Sequence, residues 1–491
     1  MKKTQLISTL LLIAMLAGCG SQGAGNDTTT SDDNTDNTDN TDDTTTEAPE
    51  SNEYPYETGK YDGQTFTFLN AQDELWAGSN HVLDYEELSG ELVQDAVYNR
   101  VIKTEQQFGI TIDVVKTDLF QTTGDMQKHV MANEDVYNAA YLPLKDALAQ
   151  AEYVTNLHDI DTLHLTDEWW NQSFIDQATM LGGKLYSTVD YINMMGYTYG
   201  NVLYFNKDMF GKNSIDLPYD AVRSGNWTYD KMYENMSKVV NLNGDDSFKA
   251  SMSGTCVYGY AVQHEEGTMT LLDGSGEFLV LKDKDGVPSL RSDVSGFEAA
   301  YSKLCSMLSG DGFCVMKTEK ELQGVFIFEQ GRSMFYQGPL GLASDAEFRE
   351  LDFEFGVIPA PKYEASQSKY YTMASEYTLS LTVPKTVSDT KFTGEVLDYM
   401  AYLGLRDVIP DIQTSLCYKG MRDDDSIEMF NTILKTLSLD IGYMFGWTKD
   451  MVGKLCKTDL LNGNDKFAST FAAQKDKIKA NIEKTLATMG Q

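Results

Sequence analysis

Gln64-Thr-Phe-Thr-Phe-Leu69 opens the stretch that decides the fold, and Ile110-Thr-Ile-Asp-Val-Val115 closes it. Both segments alternate apolar with polar residues at a period of two, as half-buried strands do. Between them Leu92, Val93, Ala96, Val97, Val101 and Ile102 recur at helical spacing. Strand, helix and strand at these separations predict a right-handed crossover and a parallel sheet. Working outward, residues 126–133 read as a further helix and 136–142 as a third strand. In open α/β sheets ligands sit beyond the carboxyl ends of the strands. That directs attention to the loops at 71–78, 116–123 and 143–146. A second half repeats the theme, with strands expected at 202–205 and 332–336 and a helix at 229–240. From Phe392 onward the chain reads as mainly helical, most clearly at 427–439 and 475–488.

The amino terminus has a different character. Lys2 and Lys3 precede a nearly all-aliphatic run from Leu6 to Leu16, which ends in Leu16-Ala-Gly-Cys19. At about 1.5 Å per residue this run covers roughly half of a ~30 Å hydrocarbon core, so it reads as a secretory signal rather than a span. Small residues ahead of a cysteine resemble the bacterial lipoprotein signal, which implies that the Cys19 thiol carries the lipid and becomes the mature terminus. Residues 20–53 are almost purely Gly, Ser, Thr, Asn, Asp and Glu. Such a tract buries too little apolar surface to offset ordering entropy, and residues 19–57 are therefore expected to form a disordered acidic tether. Its aspartates lack the glycine turn and closing glutamate of a calcium loop.

Composition narrows the partners. The formal charge is −35, from 39 Lys+Arg against 74 Asp+Glu. A body this acidic argues against nucleic acid and against electrostatic docking on anionic lipid. Some 430 residues beyond the tether exceed a single core and suggest two domains. After Cys19 the cysteines at 256, 305, 314, 417 and 456 are odd in number and scattered, which is no disulfide framework. Buried free thiols are expected, with Cys305 and Cys314 the one pair close enough in sequence to consider. None of the five histidines (81, 129, 158, 164, 264) stands in HExxH or HxH, and there is no CxxC, GxSxG or P-loop. No metal, cofactor or catalytic residue is expected, and the chain reads as a non-enzyme.

In these features the chain resembles the extracellular solute-binding proteins of ABC importers, of the type that includes many sugar receptors. The resemblance rests on Gly90-Glu-Leu-Val-Gln-Asp-Ala-Val-Tyr-Asn-Arg100 with Glu105, and on Leu203-Tyr-Phe-Asn-Lys-Asp-Met-Phe210. It continues in Asn226-Trp-Thr-Tyr-Asp230, Phe328-Glu-Gln-Gly-Arg-Ser-Met-Phe-Tyr336 and Phe355-Gly-Val-Ile-Pro-Ala-Pro-Lys362. Glu168-Trp-Trp-Asn171, Arg422-Asp423 and Glu428-Met429 are similar to a Gram-positive branch. The matches run in order from about residue 60 to about 450, and most mark turns and helix ends rather than chemistry.

The resemblance implies an α/β, two-lobed fold of the periplasmic-binding-protein type II class, with hinge strands and a ligand cleft between the lobes. Lobe one is expected at 58–197 plus 374–412, and lobe two at 198–373 plus 413–491, with hinge strands at 191–199 and 376–383. It further implies a carbohydrate ligand, an ABC permease as membrane partner, attachment to the outer face of the cell membrane through lipid, and a monomer. A sugar needs aromatic platforms for its C–H faces and carboxylate or amide groups for its hydroxyls. Asp73 and Trp76 lie in the loop after the first strand, and Tyr141 ends the third. Asp190, Tyr191 and Tyr199 flank the first crossing, and Glu376 with Tyr377 the second. Tyr336 precedes Gly338-Pro339, and Trp447 follows a late helix. Leu340 stands where some relatives carry a stacking Trp. Paired Trp169 and Trp170, and Trp227, read as packing residues. A surface glycan-active enzyme, a receptor for peptides or other solutes, and a sensor subunit stay open as alternatives.

Overall fold

The computed structural model describes residues 53–491, apart from 249, 250, 252, 317–323, 422 and 491 and the side chains of 418–421 and 458. Cys19, the signal and most of the tether lie outside the described residues, as does Arg422. Among those described, thirteen strands run in order: β1 (Thr65–Ala71), β2 (Thr111–Thr117), β3 (Ala139–Pro143), β4 (Asn201–Asn206), β5 (Tyr258–Val262), β6 (Val280–Lys282), β7 (Pro288–Leu290), β8 (Cys314–Met316), β9 (Ser333–Pro339), β10 (Phe355–Ile358), β11 (Thr372–Met373), β12 (Leu379–Thr382) and β13 (Leu437–Ser438).

Two sheets organise the molecule. The first has the order β12-β3-β1-β2, with β1 parallel to β2 and β3, and β12 antiparallel to β3. The second has the order β10-β4-β9-β5-β8, parallel through β9, β5 and β8 and antiparallel at β4 and β10. Helices cover both, giving two α/β lobes. The register of β1 places Phe68 beside Val114 on one side and Ala139 on the other. Phe66 and Phe68 are fully buried with ring centroids 4.8 Å apart, so the alternation read from the sequence is the alternation that packs.

The helix Leu92–Phe108 buries Val97, Val101, Thr104 and Phe108 and stops at Gly109, whose φ of 75° is the left-handed conformation of a helix end. Its Arg100 is fully buried. The guanidinium donates to the carbonyls of Ile192 (2.7 Å), Tyr191 (3.3 Å) and Leu83 (3.2 Å), fastening the helix to the first crossing between lobes. That crossing is not the strand expected at 191–199. Asp190 Oδ1 accepts the N–H groups of Ile192 (2.8 Å) and Asn193 (2.9 Å), and the chain then coils through Met195–Thr198 before β4. An aspartate bonding two and three residues ahead folds the backbone into a turn, which overrides the strand propensity of Tyr191 and Ile192.

The second crossing enters β12 through a turn closed by Thr378 N–H on the Ser375 carbonyl (3.1 Å). A third passage is helical. Thr390–Leu403 packs on Leu92–Phe108, whereas Thr414–Met421 packs on the Leu340–Ser344 turn that follows β9. The helix expected at 427–439 is Asp424–Lys435, because Leu437 and Ser438 are taken into pairing with β11. The last helix begins earlier than read, at Phe467, where that ring packs on Phe297 (4.9 Å) and Phe471 (5.5 Å).

The β6–β7 hairpin is fastened to residues 179–182. The β6–β7 hairpin accepts the N–H groups of Leu181 on Gly286 O (3.1 Å) and of Gly182 on Asp285 O (2.9 Å), and Lys282 Nζ donates to Thr179 O (2.7 Å). The tryptophans read as packing residues are buried. Trp170 Nε1 donates to Asp398 Oδ1 (2.8 Å) and Trp227 Nε1 to the Pro359 carbonyl (3.0 Å). Among the described residues the cysteines at 256, 305, 314, 417 and 456 form no disulfide, and four of them are buried. No helix among the described residues is long and apolar enough to cross a membrane.

Candidate ligand-binding site

A cavity of about 580 Å³ opens between the two sheets. It lies where the topology predicts, beyond the carboxyl ends of parallel strands. Trp76 and Ala77 come from the loop after β1, Phe120 from the loop after β2, and Gln263 and His264 follow β5. Tyr336, Gln337, Gly338 and Pro339 belong to β9 itself, Asn201 opens β4, and Tyr199, Ser375 and Tyr377 come from the two crossings.

Aromatic rings form one wall. Trp76 stacks near-parallel on Tyr199 (6.1 Å, 24°) and meets Tyr377 edge-on (5.5 Å), and Tyr377 in turn meets Phe120 edge-on (6.0 Å). Lys145 Nζ sits 4.2 Å over the Tyr377 ring. Trp76 is 42 % exposed and Phe120 58 %, so this wall offers uncovered faces. Across the cavity Tyr336 is held between Tyr204 (6.3 Å) and Phe328 (5.7 Å). The loop that carries Trp76 is pinned by a close approach. Gly78 has φ 74°, and a Cβ there would fall 2.4 Å from the Gly341 carbonyl carbon. Thr198 Oγ1 also donates to the Ser79 carbonyl (3.1 Å).

Polar groups form a chain along the floor. Gln337 Nε2 donates to Asn201 Oδ1 (2.5 Å), and Asn201 Nδ2 donates to Glu266 Oε1 (3.2 Å). Burial pushes the Glu266 carboxyl above the usual carboxylate range. Gln263 Oε1 is buried without a hydrogen-bond partner. Glu329, Asp345 and Glu347 complete the lobe-two side, and burial, with Glu347 and Asp345 close by, pushes the Glu329 carboxyl up as well. Rings with open faces beside amide and carboxylate groups suit a ligand that is apolar on one face and hydroxyl-bearing at its edge. No cluster of three or more His, Cys, Asp or Glu side chains suited to hold a metal is found among the described residues.

Of the residues singled out from sequence, Trp76, Tyr199 and Tyr336 line the cavity, as does Tyr377. Asp73 stays at the surface beside it, paired with Lys116 (3.0 Å). Glu376 does not line the cavity, although its neighbours Ser375 and Tyr377 do, and it pairs with Lys449. Tyr141, Asp190 and Tyr191 do not reach the cavity. Tyr141 is fully buried and donates to Asp190 Oδ2 (2.9 Å), beneath the Arg100 guanidinium, and burial pushes Asp190 up to about 6. The Tyr191 side chain packs on Tyr197 (5.9 Å). Trp447 does not roof the cleft. It stacks on Phe445 (4.7 Å) and donates to Thr485 Oγ1 (3.0 Å) on the last helix, beside a separate hollow. Sequence reading passed over Phe120, Asn201, Gln263, Glu266, Glu329, Gln337, Asp345 and Glu347. Only Phe120 carried a signal, as a lone ring in a loop at a strand's carboxyl end.

No family model matches the chain, and no curated protein matches its sequence at a significant level. Its fold does match solved structures. The sugar-binding protein MalE from Xanthomonas citri superposes with a TM-score of 0.59 at 15% identity, covering 87% of this chain and 100% of that one. The cyclic alpha-maltosyl-1,6-maltose binding protein from Arthrobacter globiformis gives 0.56 at 14% identity, covering 86% and 99%. An ABC substrate-binding protein from Listeria monocytogenes, solved with cycloalternan, gives 0.55 at 14% identity, covering 86% and 100%. All three are binding proteins, and the fold of this chain is their two-lobed α/β fold.

Proposed function

We propose that the chain is a lipid-anchored solute-binding receptor on the outer face of the cell membrane, which captures an oligosaccharide and delivers it to an ABC importer. The observation that carries this reading is the cleft itself. The rings of Trp76, Tyr199 and Tyr377, with Trp76 and Phe120 exposed, share a cavity with the Gln337–Asn201–Glu266 chain, in a fold whose solved neighbours include sugar binders. Cys19 would carry the lipid and residues 19–57 the tether, with a monomeric receptor of lobe one (58–197 plus 374–412) and lobe two (198–373 plus 413–491) closing on ligand by a hinge motion. The tether would hold the receptor near its permease at high effective concentration.

The test is a panel of oligosaccharides and peptides read by thermal unfolding and by small-angle scattering. A ligand at a hundred times its Kd adds about 2.7 kcal/mol, a shift of a few degrees, and closure lowers the radius of gyration. A shift with peptides and none with glycans would overturn the sugar assignment. Mass spectrometry of the recovered glycan separates capture from turnover: unchanged glycan is expected, and cleaved product would reassign the chain as a glycan-active enzyme. The anchor is tested by alkyne-palmitate labelling in cells, which Cys19→Ala abolishes while releasing the protein into the medium.

A further inference from the structure

We infer that the lobe-two end of the cleft is built for a positively charged unit, so that the glycan taken there carries a free amino group; this rests on the glycan reading above.

Three carboxylates line that end. Glu329 closes the helix Gly324–Glu329, and Asp345 and Glu347 open the short helix that follows the Leu340–Ser344 turn. Asp345 Oδ1 is engaged with the Glu347 N–H (2.9 Å), and none of the three carboxylates forms an ion pair among the described residues. No Lys or Arg of the described residues lines the cavity. Arg349, one turn beyond Asp345, lines a different hollow. Lys145 lies over Tyr377 and Phe120, on the wall that carries Trp76. The cleft is therefore electrically polar along its length.

Unpaired carboxylates held together in a partly buried concavity repel one another, and burial weakens their hydration. Gln263 Oε1, buried and partnerless on the same cavity, is one more acceptor without a donor. The lobe-two end thus offers three carboxylates with no Lys or Arg among the described residues lining it to balance them. A hydroxyl brings one donor and its own acceptor. An ammonium group brings three donors, no acceptor and the missing charge. Uronate or phosphate groups would meet like charge here.

The experiment is calorimetric titration of the purified protein with matched probes: a β-1,4 glucosamine trimer, its N-acetylated form, cellotriose, trigalacturonate, and spermidine as a cation without a sugar. The amine trimer is expected to bind about tenfold or more tighter than the N-acetylated trimer and cellotriose, with no heat from trigalacturonate. Glu347→Gln, at an exposed position, is expected to remove most of that preference, read as the ratio of amine-trimer to N-acetylated-trimer affinity. Glu329→Gln, checked by its unfolding temperature, is expected to do the same. Equal or tighter binding of the neutral or uronate trimers would overturn the inference and leave the glycan reading standing. Binding of spermidine with no glycan bound would uphold the charged site and overturn the glycan reading. Silence from every probe would overturn both.

Discussion

At the scale of single residues, the same residue type does opposite work in two places. Trp76 has an open face in the cleft, whereas Trp447 is 5 % exposed and spends its indole N–H on Thr485. Trp76→Ala is expected to weaken glycan binding by tenfold or more at nearly unchanged unfolding temperature, because stacking platforms act on ligand rather than on the core. Trp447→Ala is expected to leave affinity within twofold and to cost about 3 kcal/mol of stability in chemical unfolding. Arg100 marks a third role. Its guanidinium ties three carbonyls of two segments, so Arg100→Met leaves those buried carbonyls without that donor and is expected to cost on the order of 3 kcal/mol or more. Calorimetric unfolding of the variant measures it.

At the scale of elements, local rules were legible and long-range ones were not. The alternation in β1 and the helical spacing of Leu92–Phe108 are set by residues within a few positions, so the sequence predicts them and the structure keeps them. Tyr141 was read as the end of a strand and Asp190 as flanking a crossing, yet Tyr141 stands in the middle of β3 and the two side chains bond one another in the core, since a position along the chain does not say which face is the cleft. The carboxylates at 329, 345 and 347 were invisible because two short helix ends, separated by β9 and the turn after it, assemble them. The 72–80 loop shows the same limit. Its position depends on two glycines from different lobes, where Gly78 abuts Gly341 and a Cβ on Gly341 would lie 2.0 Å from the Gly78 oxygen. Gly341→Ala therefore pushes that loop and Trp76 off their seat. Ligand affinity is expected to drop by about tenfold while the melting temperature falls by no more than a few degrees, as titration and thermal unfolding of one sample will show.

At the scale of the whole molecule, several carboxyls are buried with their pKa raised: Asp190 and Asp440 to about 6, and Glu266 and Asp273 upward, each chiefly through burial. A raised folded-state pKa means the native protein holds its proton more tightly than the unfolded chain. The associated stability is complete below the ordinary value of 3.8 and is lost as pH rises through about 6. The unfolding temperature is thus expected to be higher near pH 5 than near pH 7.5, with the fall concentrated between pH 4 and 6.5. A flat or rising profile there would show that these groups stay ionised in the fold. The free cysteines described with the fold have a use of a different kind. Burial pushes the thiols of Cys305, Cys314 and Cys417 up to about 11, 12 and 12, so almost no thiolate is present at neutral pH. Maleimide dyes will then pass over the native thiols and take cysteines newly placed on each lobe, which makes the molecule ready for single-molecule fluorescence with its own sulfur left in place.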